Sequence, residues 1–316
     1  MTALRLILRR AAIVVPLLLA VTVIVFLIVQ LLPGDPATAV LGEFASKEQR
    51  AEFAAANGLN DPLPTRYLRF LGDLLHGDLG VSMTSGQDVG ALLQKAVPVT
   101  IQLTLLAMLL AVVYALVFGI LSAVHRGTWF DKLGRALSIG GLAAPSFWVG
   151  LVLVQIFALE LGLLPSGGYL PMSAGLGSWF EAMILPASAL ALSTGSTLVR
   201  VVRASVVQEL ERDYVRTARG LGLPPYVVIG RNVLRNALIT PMTVLGLRIG
   251  YMLSGAVVIE SIYSLPGVGR LLLSAVDSGD LAIIQGVVLF GTLAFIVVNL
   301  VVDVLSILLN PRLRTA

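Results

Sequence analysis

The chain has 316 residues, of which 57% are hydrophobic and 13% are charged, and its formal net charge is +4. A soluble domain carries about 25% charged residues, so this composition indicates a chain whose main solvent is lipid. The chain contains no cysteine, which excludes disulfides, a thiol nucleophile and cysteine-ligated metals. The basic residues cluster beside apolar stretches, a placement that favours membrane topology over nucleic-acid binding.

The first apolar stretch runs from about residue 11 to 32 and follows Arg5, Arg9 and Arg10. It is roughly 22 residues long, whereas the apolar region of a signal peptide has about 7–15 residues. We therefore expect a retained membrane anchor. The small residues at 37–39 leave signal-peptide cleavage as the alternative.

Residues 33–97 form the longest polar segment of the chain. Stretches at 43–57 and 67–75 predict short helices, and residues 77–82 form a glycine-rich loop. The segment is too short for an independent catalytic domain. We interpret it as a short helical lobe on the extracytoplasmic side, and the alternative is a solvated loop without a partner.

Five further apolar stretches predict membrane-spanning helices, which gives an all-α integral membrane protein with six transmembrane helices. They cover residues 98–124, 137–159, 182–202, 239–262 and 283–309. The stretch at 137–159 contains Pro145 in mid-span, where a proline leaves backbone groups to be satisfied by protein or a wet cavity. The alternatives at that position are a packing kink and a helix bent around a conduit.

Most of the 22 Lys and Arg residues lie in segments that six spans would place on one side of the membrane. The positive-inside rule therefore predicts cytoplasmic N- and C-termini and a cytoplasmic loop at 203–238. The predicted domains are the N-terminus with the first span (1–32), the lobe (33–97) and a five-helix core (98–316).

The segment DYVRTARGLGLPPYVVIGRNVLRN, residues 213–236, is a basic polar break between two apolar spans. It predicts a helix of about eight residues with Asp213 as its N-cap, ended by Gly220 or Gly222 and by the two prolines that follow. So short a helix is unstable alone and needs a surface on this chain or on a partner. Its predicted common face consists of Tyr214, Val215, Ala218 and Leu221.

Several motifs of enzymes are missing from the sequence. There is no Gly-x-x-x-x-Gly-Lys-Ser/Thr phosphate loop, so ATP-driven work would need an ATPase on a separate polypeptide. There is no His-Glu-x-x-His, and the two histidines, His76 and His125, lie outside the predicted spans. We therefore expect neither a membrane enzyme nor a bound cofactor or metal.

Two charged residues, Arg248 and Asp303, are singled out within the predicted spans. A charge in lipid is costly and normally faces the bundle interior or a partner. Their comparable depth predicts either an ion pair that fixes helix packing or a role in lining a translocation path. Gly246 and Gly250 form a Gly-x-x-x-Gly pattern, which predicts a seam of close helix packing.

The loop at 213–223 resembles the Glu-Ala-Ala-x-x-x-Gly loop shared by the membrane subunits of bacterial ABC importers. Ala218 and Gly222 match that motif, while Arg216 stands in place of its Glu and Thr217 in place of its first Ala. The wording DYVRTARGLGL resembles the dipeptide/oligopeptide branch of these permeases. Further runs resemble the same branch in the same order, including LPGDPA at 32–37, GDLGVS at 77–82, PSFWVG at 145–150 and LPGVGR at 265–270.

The resemblance implies a type I ABC importer permease in the bacterial plasma (inner) membrane. Its partners would be a homologous second permease, two cytoplasmic ABC ATPase subunits and an extracytoplasmic solute-binding protein. The implied coupling residues, which would meet an ATPase, are Asp213, Tyr214, Arg216, Thr217, Ala218, Arg219, Gly222 and Leu223. The implied docking residues for the binding protein are Asp78, Ser82, Pro266, Gly267, Arg270 and Asp280.

The implied solutes are dipeptides or oligopeptides. An alternative within the same architecture is another small solute, such as a nickel chelate, glutathione or an opine. The alternative from another class is a self-sufficient channel or an ion-coupled carrier, which would show an internal repeat or more charges within its spans.

Overall fold

A computed structural model describes residues 16–27, 30, 36–42, 44–56 and 58–309, without the side chains of 36, 39, 40 and 301–309. Within these residues the regular structure is helical, and Val81 and Asp88 form an isolated β-bridge. The prediction of an all-α protein is therefore confirmed for the described part of the chain.

Within the described residues, four helices precede the first long one. They are α1 (Pro16–Leu27), α2 (Pro36–Leu41), α3 (Lys47–Ala56) and α4 (Leu63–Leu75). The predicted short helices of the 33–97 segment are thus present at α3 and α4. Within the first predicted span, 11–32, residues 11–15, 28–29 and 31–32 lie outside the described residues.

The remaining described α-helices follow, with two π-helical turns among them. They are α5 (Val89–Val124), α6 (Trp129–Ala143), α7 (Ser146–Leu153), α8 (Leu176–Leu210), α9 (Asp213–Gly220), α10 (Pro225–Val227), α11 (Leu234–Ala237), α12 (Ile239–Ile262), α13 (Val268–Ser278) and α14 (Leu281–Leu309). The π-helical turns are Val154–Glu160, which extends α7, and Val228–Val233, which joins α10 to α11.

Four of the described helices are long and apolar enough to cross a membrane: α5, α8, α12 and the 281–300 part of α14. The pair α6 and α7 passes the same test together but is bent by 106°, and α1 is a shorter apolar helix. Several membrane-spanning helices are therefore present, and the count of six stays a prediction. α5 and α8 extend beyond the predicted spans because an apolar window marks the lipid-facing length of a helix and not its backbone ends.

The bend between α6 and α7 follows from its sequence. A proline disfavours helical geometry in the residue before it, and Ala144 is accordingly extended, with φ −80° and ψ 121°. Pro145 is extended as well and precedes the first residue of α7. The predicted break is confirmed, and an angle of 106° makes it a change of direction and not a small kink.

The chain folds as two compact units. The first comprises residues 1–99 and 266–297, and its core includes Val89, Ala275 and Val287. Its helix α13 lies in a segment predicted to be an outer loop. The Gly-Val-Gly start looks like a turn in sequence, whereas the residues after it form an amphipathic helix ended by left-handed Gly279.

The second unit comprises residues 100–265 and 298–316. Its inner core gathers side chains of α5, α8, α9 and the 228–237 stretch, among them Ala123, Val202, Val206 and Val215. Close helix approach is built into this core. A side chain at Gly119 of α5 would come within 2.8 Å of Val202 on α8, so only glycine fits between these helices without rearrangement.

Candidate coupling surface

The helix α9 begins one residue earlier than it would with Asp213 as its N-cap. Arg212 has the extended cap conformation, with φ −70° and ψ 148°, and Asp213 is already helical. The prediction of Asp213 as N-cap is therefore wrong. Asp213 instead lies in the first turn, where a negative charge interacts favourably with the helix dipole, and its carboxylate lies 3.6 Å from the Arg216 guanidinium.

The end of α9 is fixed by glycine. Gly222 has φ +74°, its N–H donates to the carbonyl of Arg219, and the N–H of Leu223 donates to that of Ala218. These two bonds form a Schellman motif, which satisfies carbonyls at the helix end and needs a left-handed residue. The predicted glycine stop is confirmed, and nothing lies near the position of a Gly222 side chain, so backbone conformation alone selects glycine there.

One face of α9 is buried against its own chain. Val215 is fully buried and Ala218 is 6% exposed, both in the inner core with α5 and α8. The prediction that Tyr214 and Leu221 share this face is wrong, because they are 39% and 76% exposed. Tyr214 lies at the edge of the buried stripe, and Leu221 follows the last helical residue.

The opposite face of α9 is exposed. It presents Asp213, Arg216, Thr217 and Arg219, and the apolar side chain of Leu221 stands beside them. The Asp213–Arg216 pair is open to solvent, and such pairs contribute about 0–1 kcal/mol. This face therefore adds little to folding and remains available for another protein.

Tyr214 ties α9 to its neighbours. Its hydroxyl donates to Glu209 on α8 over 2.7 Å and accepts a bond from the Asn236 amide over 3.3 Å. Burial, followed by the bond to Glu209, raises the pKa of Tyr214 above its usual value. A groove of about 660 Å³ adjoins the ring, lined by Tyr214, Arg231, Asn232, Arg235, Asn236, Leu238, Ile239 and Met242.

Two family models match this chain. The model for the inner membrane component of binding-protein-dependent transport systems matches residues 115–315, and the model for the N-terminal part of that component matches residues 3–104. The chain belongs to this family. Its members are permease subunits of ABC importers, which are membrane components and not enzymes.

Curated relatives cover nearly the whole chain. A protein named as a peptide transport system permease of Brucella abortus (strain 2308) is 38% identical over 314 residues, which is 99% of each chain. The glutathione transport system permease GsiC of Salmonella paratyphi A is 40% identical over 308 residues, or 98% of each chain. A solved amino acid ABC transporter superimposes with a TM-score of 0.50 at 16% identity, covering 71% of this chain and 94% of that one, and this likeness supports the fold.

The permease also carries a buried acid that the predicted intramembrane charges did not include. Glu260 on α12 is fully buried and accepts a 2.5 Å hydrogen bond from the Thr100 hydroxyl on α5. It lies two residues before the end of the predicted span, where a charge resembles an interfacial residue in sequence. The hydrogen bond across two helices shows that it belongs to the interior of this unit.

Arg248 is partly buried on α12, and its guanidinium lies 5.1 Å from the centre of the Tyr251 ring. A cation over an aromatic face is attracted by the ring quadrupole, so Tyr251 is a local partner one turn along the same helix. The side chain of Asp303 lies outside the described side chains. The Arg248–Asp303 pair stays a prediction.

The six predicted docking residues divide by burial. Ser82, Gly267 and Asp280 are buried, whereas Asp78, Pro266 and Arg270 are exposed. The Asp78 carboxylate accepts a 2.8 Å bond from the Gly80 N–H and thereby shapes its own loop.

Asp280 is the centre of a polar network in the first unit. One carboxylate oxygen accepts bonds from the Ser82 hydroxyl over 2.6 Å and from the Thr84 hydroxyl and N–H, and the other accepts the Ile283 N–H at the start of α14. Burial raises the pKa of Asp280, but these hydrogen bonds outweigh burial, and the pKa is lowered overall. We call this set of contacts the Asp280 centre.

Proposed function

We propose that this chain is one permease subunit of an ATP-driven importer of short peptides and that α9 is its coupling helix. The observation that carries this proposal is the division of α9 into a face packed on its own transmembrane helices and a face left exposed. The chain has no phosphate loop of its own, so the ATPase that meets the exposed face would be a separate subunit.

The packing of α9 supports transmission of motion into the membrane. Val215 and Ala218 belong to the same core as residues of α5 and α8, α9 packs against the 228–233 turn, and Tyr214 joins α9 to the ends of α8 and α11. Close-packed interiors resist deformation, so a force on α9 displaces these helices together. In this proposal Arg216, Thr217, Arg219 and Leu223 contact the ATPase, while Ala218 and Gly222 hold the helix in shape.

The proposed topology has six spans, with both termini and the 203–238 loop in the cytoplasm of a bacterial cell. The proposed assembly contains a homologous second permease, two ATPase subunits and an extracytoplasmic binding protein. Asp78, Pro266 and Arg270 are exposed and suit direct contact with the binding protein. Ser82, Gly267 and Asp280 are buried, and in this proposal they support the surface from beneath.

The names of the relatives support peptides as the solute class. One relative is named for peptides and another for glutathione, which is itself a short peptide. Both are similarly close in sequence, so the proposal is a small peptide with no further restriction of length. A nickel chelate or an opine remains the alternative solute of the same architecture.

The experiment compares peptide uptake after substitution of Gly222 and of Gly220, which both lie at the C-terminal end of α9. Gly222→Asp forces an acidic side chain into a left-handed position, whereas Gly220→Ala places a methyl group where nothing lies within 4 Å. We expect Gly222→Asp to abolish peptide uptake by cells while leaving the chain inserted in the membrane, and Gly220→Ala to retain uptake. Full uptake by Gly222→Asp would remove the coupling assignment, and loss of membrane insertion in that variant is checked by its abundance in the membrane fraction.

A further inference from the structure

A bidentate ion pair with a buried carboxylate joins α6 to α8 in the second unit. Asp131, in the first turn of α6, is 2% exposed, and both of its carboxylate oxygens accept bonds from Arg203 of α8, over 2.7 and 2.9 Å. The Gly127 N–H adds a third bond over 3.1 Å. A bidentate pair of this kind fixes the relative orientation of its two helices as well as their distance.

Further contacts join the same two helices along their length. The Ser138 hydroxyl on α6 donates to the Ser196 carbonyl on α8 over 2.7 Å. Gly141 of α6 lies so close to Ser196 that a side chain there would overlap it. The ion pair is therefore the inner end of a continuous α6–α8 seam.

This seam connects with α9 on one side. Val202 and Val206, which flank Arg203 on α8, belong to the core that receives Val215 and Ala218 of α9. A displacement of α9 is thus applied to α8 next to Arg203.

The α6–α8 contacts also lie next to the bend between α6 and α7. α6 is the first half of the pair bent by 106°, and its second half, α7, is held at Gly150, whose carbonyl accepts a 2.9 Å bond from the Tyr263 hydroxyl. Tyr263 directly follows α12. The bent pair is therefore held by α8 before the bend and by the end of α12 after it.

Asp131 is buried and the Arg203 side chain is 24% exposed, and apolar residues of similar volume often stabilise a protein as well as such a largely buried ion pair does. What the pair provides is a fixed geometry between α6 and α8. We propose that Asp131 and Arg203 are positioning residues that make α6 follow α8 when an ATPase moves α9, so that the motion reaches the bent pair. The inference rests on the proposed function of α9.

The test measures distances in the assembled transporter, purified with its second permease and ATPases. Because the chain has no cysteine, spin labels can be placed on Ile139→Cys of α6 and Gln208→Cys of α8, which are both exposed. Pulsed EPR compares the nucleotide-free and ATP-bound states. In the unaltered pair we expect one distance in both states, and in Asp131→Asn a shift of about 2–5 Å on adding ATP.

One control variant and one substitute for Asp131→Asn complete this measurement. Arg126→Gln breaks the exposed 2.6 Å pair with Glu211, which links the turn before α6 to the end of α8, and the distance should stay constant as in the unaltered chain. If Asp131→Asn does not assemble, Asp131→Leu with Arg203→Met restores a packed contact without the directional bonds, and it should show the same ATP-dependent shift.

A distance that stays constant with ATP in the assembled Asp131 variants would overturn the proposal, because a pair that only stabilises the fold changes the yield of complex and not its response to ATP. A second label pair, Gln208→Cys with Leu247→Cys on α12, reports whether ATP moves α8 at all. If ATP leaves that distance unchanged in the unaltered transporter, the coupling role of α9 fails, independently of Asp131.

Discussion

The proposed coupling surface, which is the exposed face of α9 with Asp213, Arg216, Thr217 and Arg219, and the Asp280 centre are polar regions built in opposite ways. The exposed charges of α9 have weak contacts within the chain, and its buried face consists of small apolar side chains. At the Asp280 centre the charge itself is buried, and Ser82, Thr84 and Ile283 of the same unit donate hydrogen bonds to it. A polar segment between spans can thus contact a partner or stabilise the fold, and the burial of its charged side chains distinguishes these two roles.

The largest expected effect is the loss of the carboxylate at the Asp280 centre. Asp280→Ala leaves two hydroxyl groups and two backbone N–H groups without their acceptor, and we expect a loss of about 3 kcal/mol in the free energy of unfolding. Thermal unfolding of the purified chain in detergent measures it. Asp78→Ala is the control, because that side chain is exposed and holds a single N–H. Equal midpoints for the two variants would show that the Asp280 centre does not stabilise the fold.

Two neighbouring substitutions test whether α9 has one buried and one exposed face. Ala218→Glu places a charge in the inner core, and we expect a loss of about 2–3 kcal/mol in stability together with loss of uptake. Thr217→Glu adds the same side chain to the exposed face and should change stability by less than about 0.5 kcal/mol. Thermal unfolding compares the two. If Thr217→Glu destabilises the chain as much as Ala218→Glu, the two faces are not distinct.

A smaller effect is expected from Tyr214→Phe. The variant keeps the ring and removes the hydroxyl that contacts Glu209 and Asn236, so the free energy of unfolding should fall by about 1 kcal/mol. Peptide uptake should fall by more than this small loss of stability explains, because the variant removes the hydrogen bonds that join α9 to α8 and α11. A variant with normal uptake would contradict the role of the Tyr214 hydroxyl in transmission.

Local features of the chain could be predicted from sequence because their causes are local. The glycine at 222, the proline at 145 and the apolar stretch 239–262 each act through neighbouring residues, and each prediction is confirmed. The prediction that Tyr214 and Leu221 lie on the buried face was wrong. Helical spacing predicts which residues share a face, but it does not predict how far the buried face extends or which residue ends the helix.

The long-range contacts could not be predicted in this way. Ser82 and Asp280 are 198 residues apart in sequence, and Asp131 and Arg203 are 72 apart. Nothing in the local pattern of either segment indicates that a particular carboxylate is buried and bonded. A resemblance to a family can place such residues in a functional region, but only the structure distinguishes a buried support from an exposed contact.

A photo-crosslink from the exposed end of α9 tests most directly whether α9 contacts an ATPase subunit. Leu221→Cys, and Leu68→Cys on α4 as its control, would each carry a benzophenone label, since both side chains are exposed and the chain has no other cysteine. Irradiation of native membranes and mass spectrometry of the products identify the partner. We expect an ATPase with a phosphate loop to be captured from position 221 and not from position 68. Capture of the ATPase from position 68, or of no ATPase from position 221, would contradict the assignment of α9 as the coupling helix.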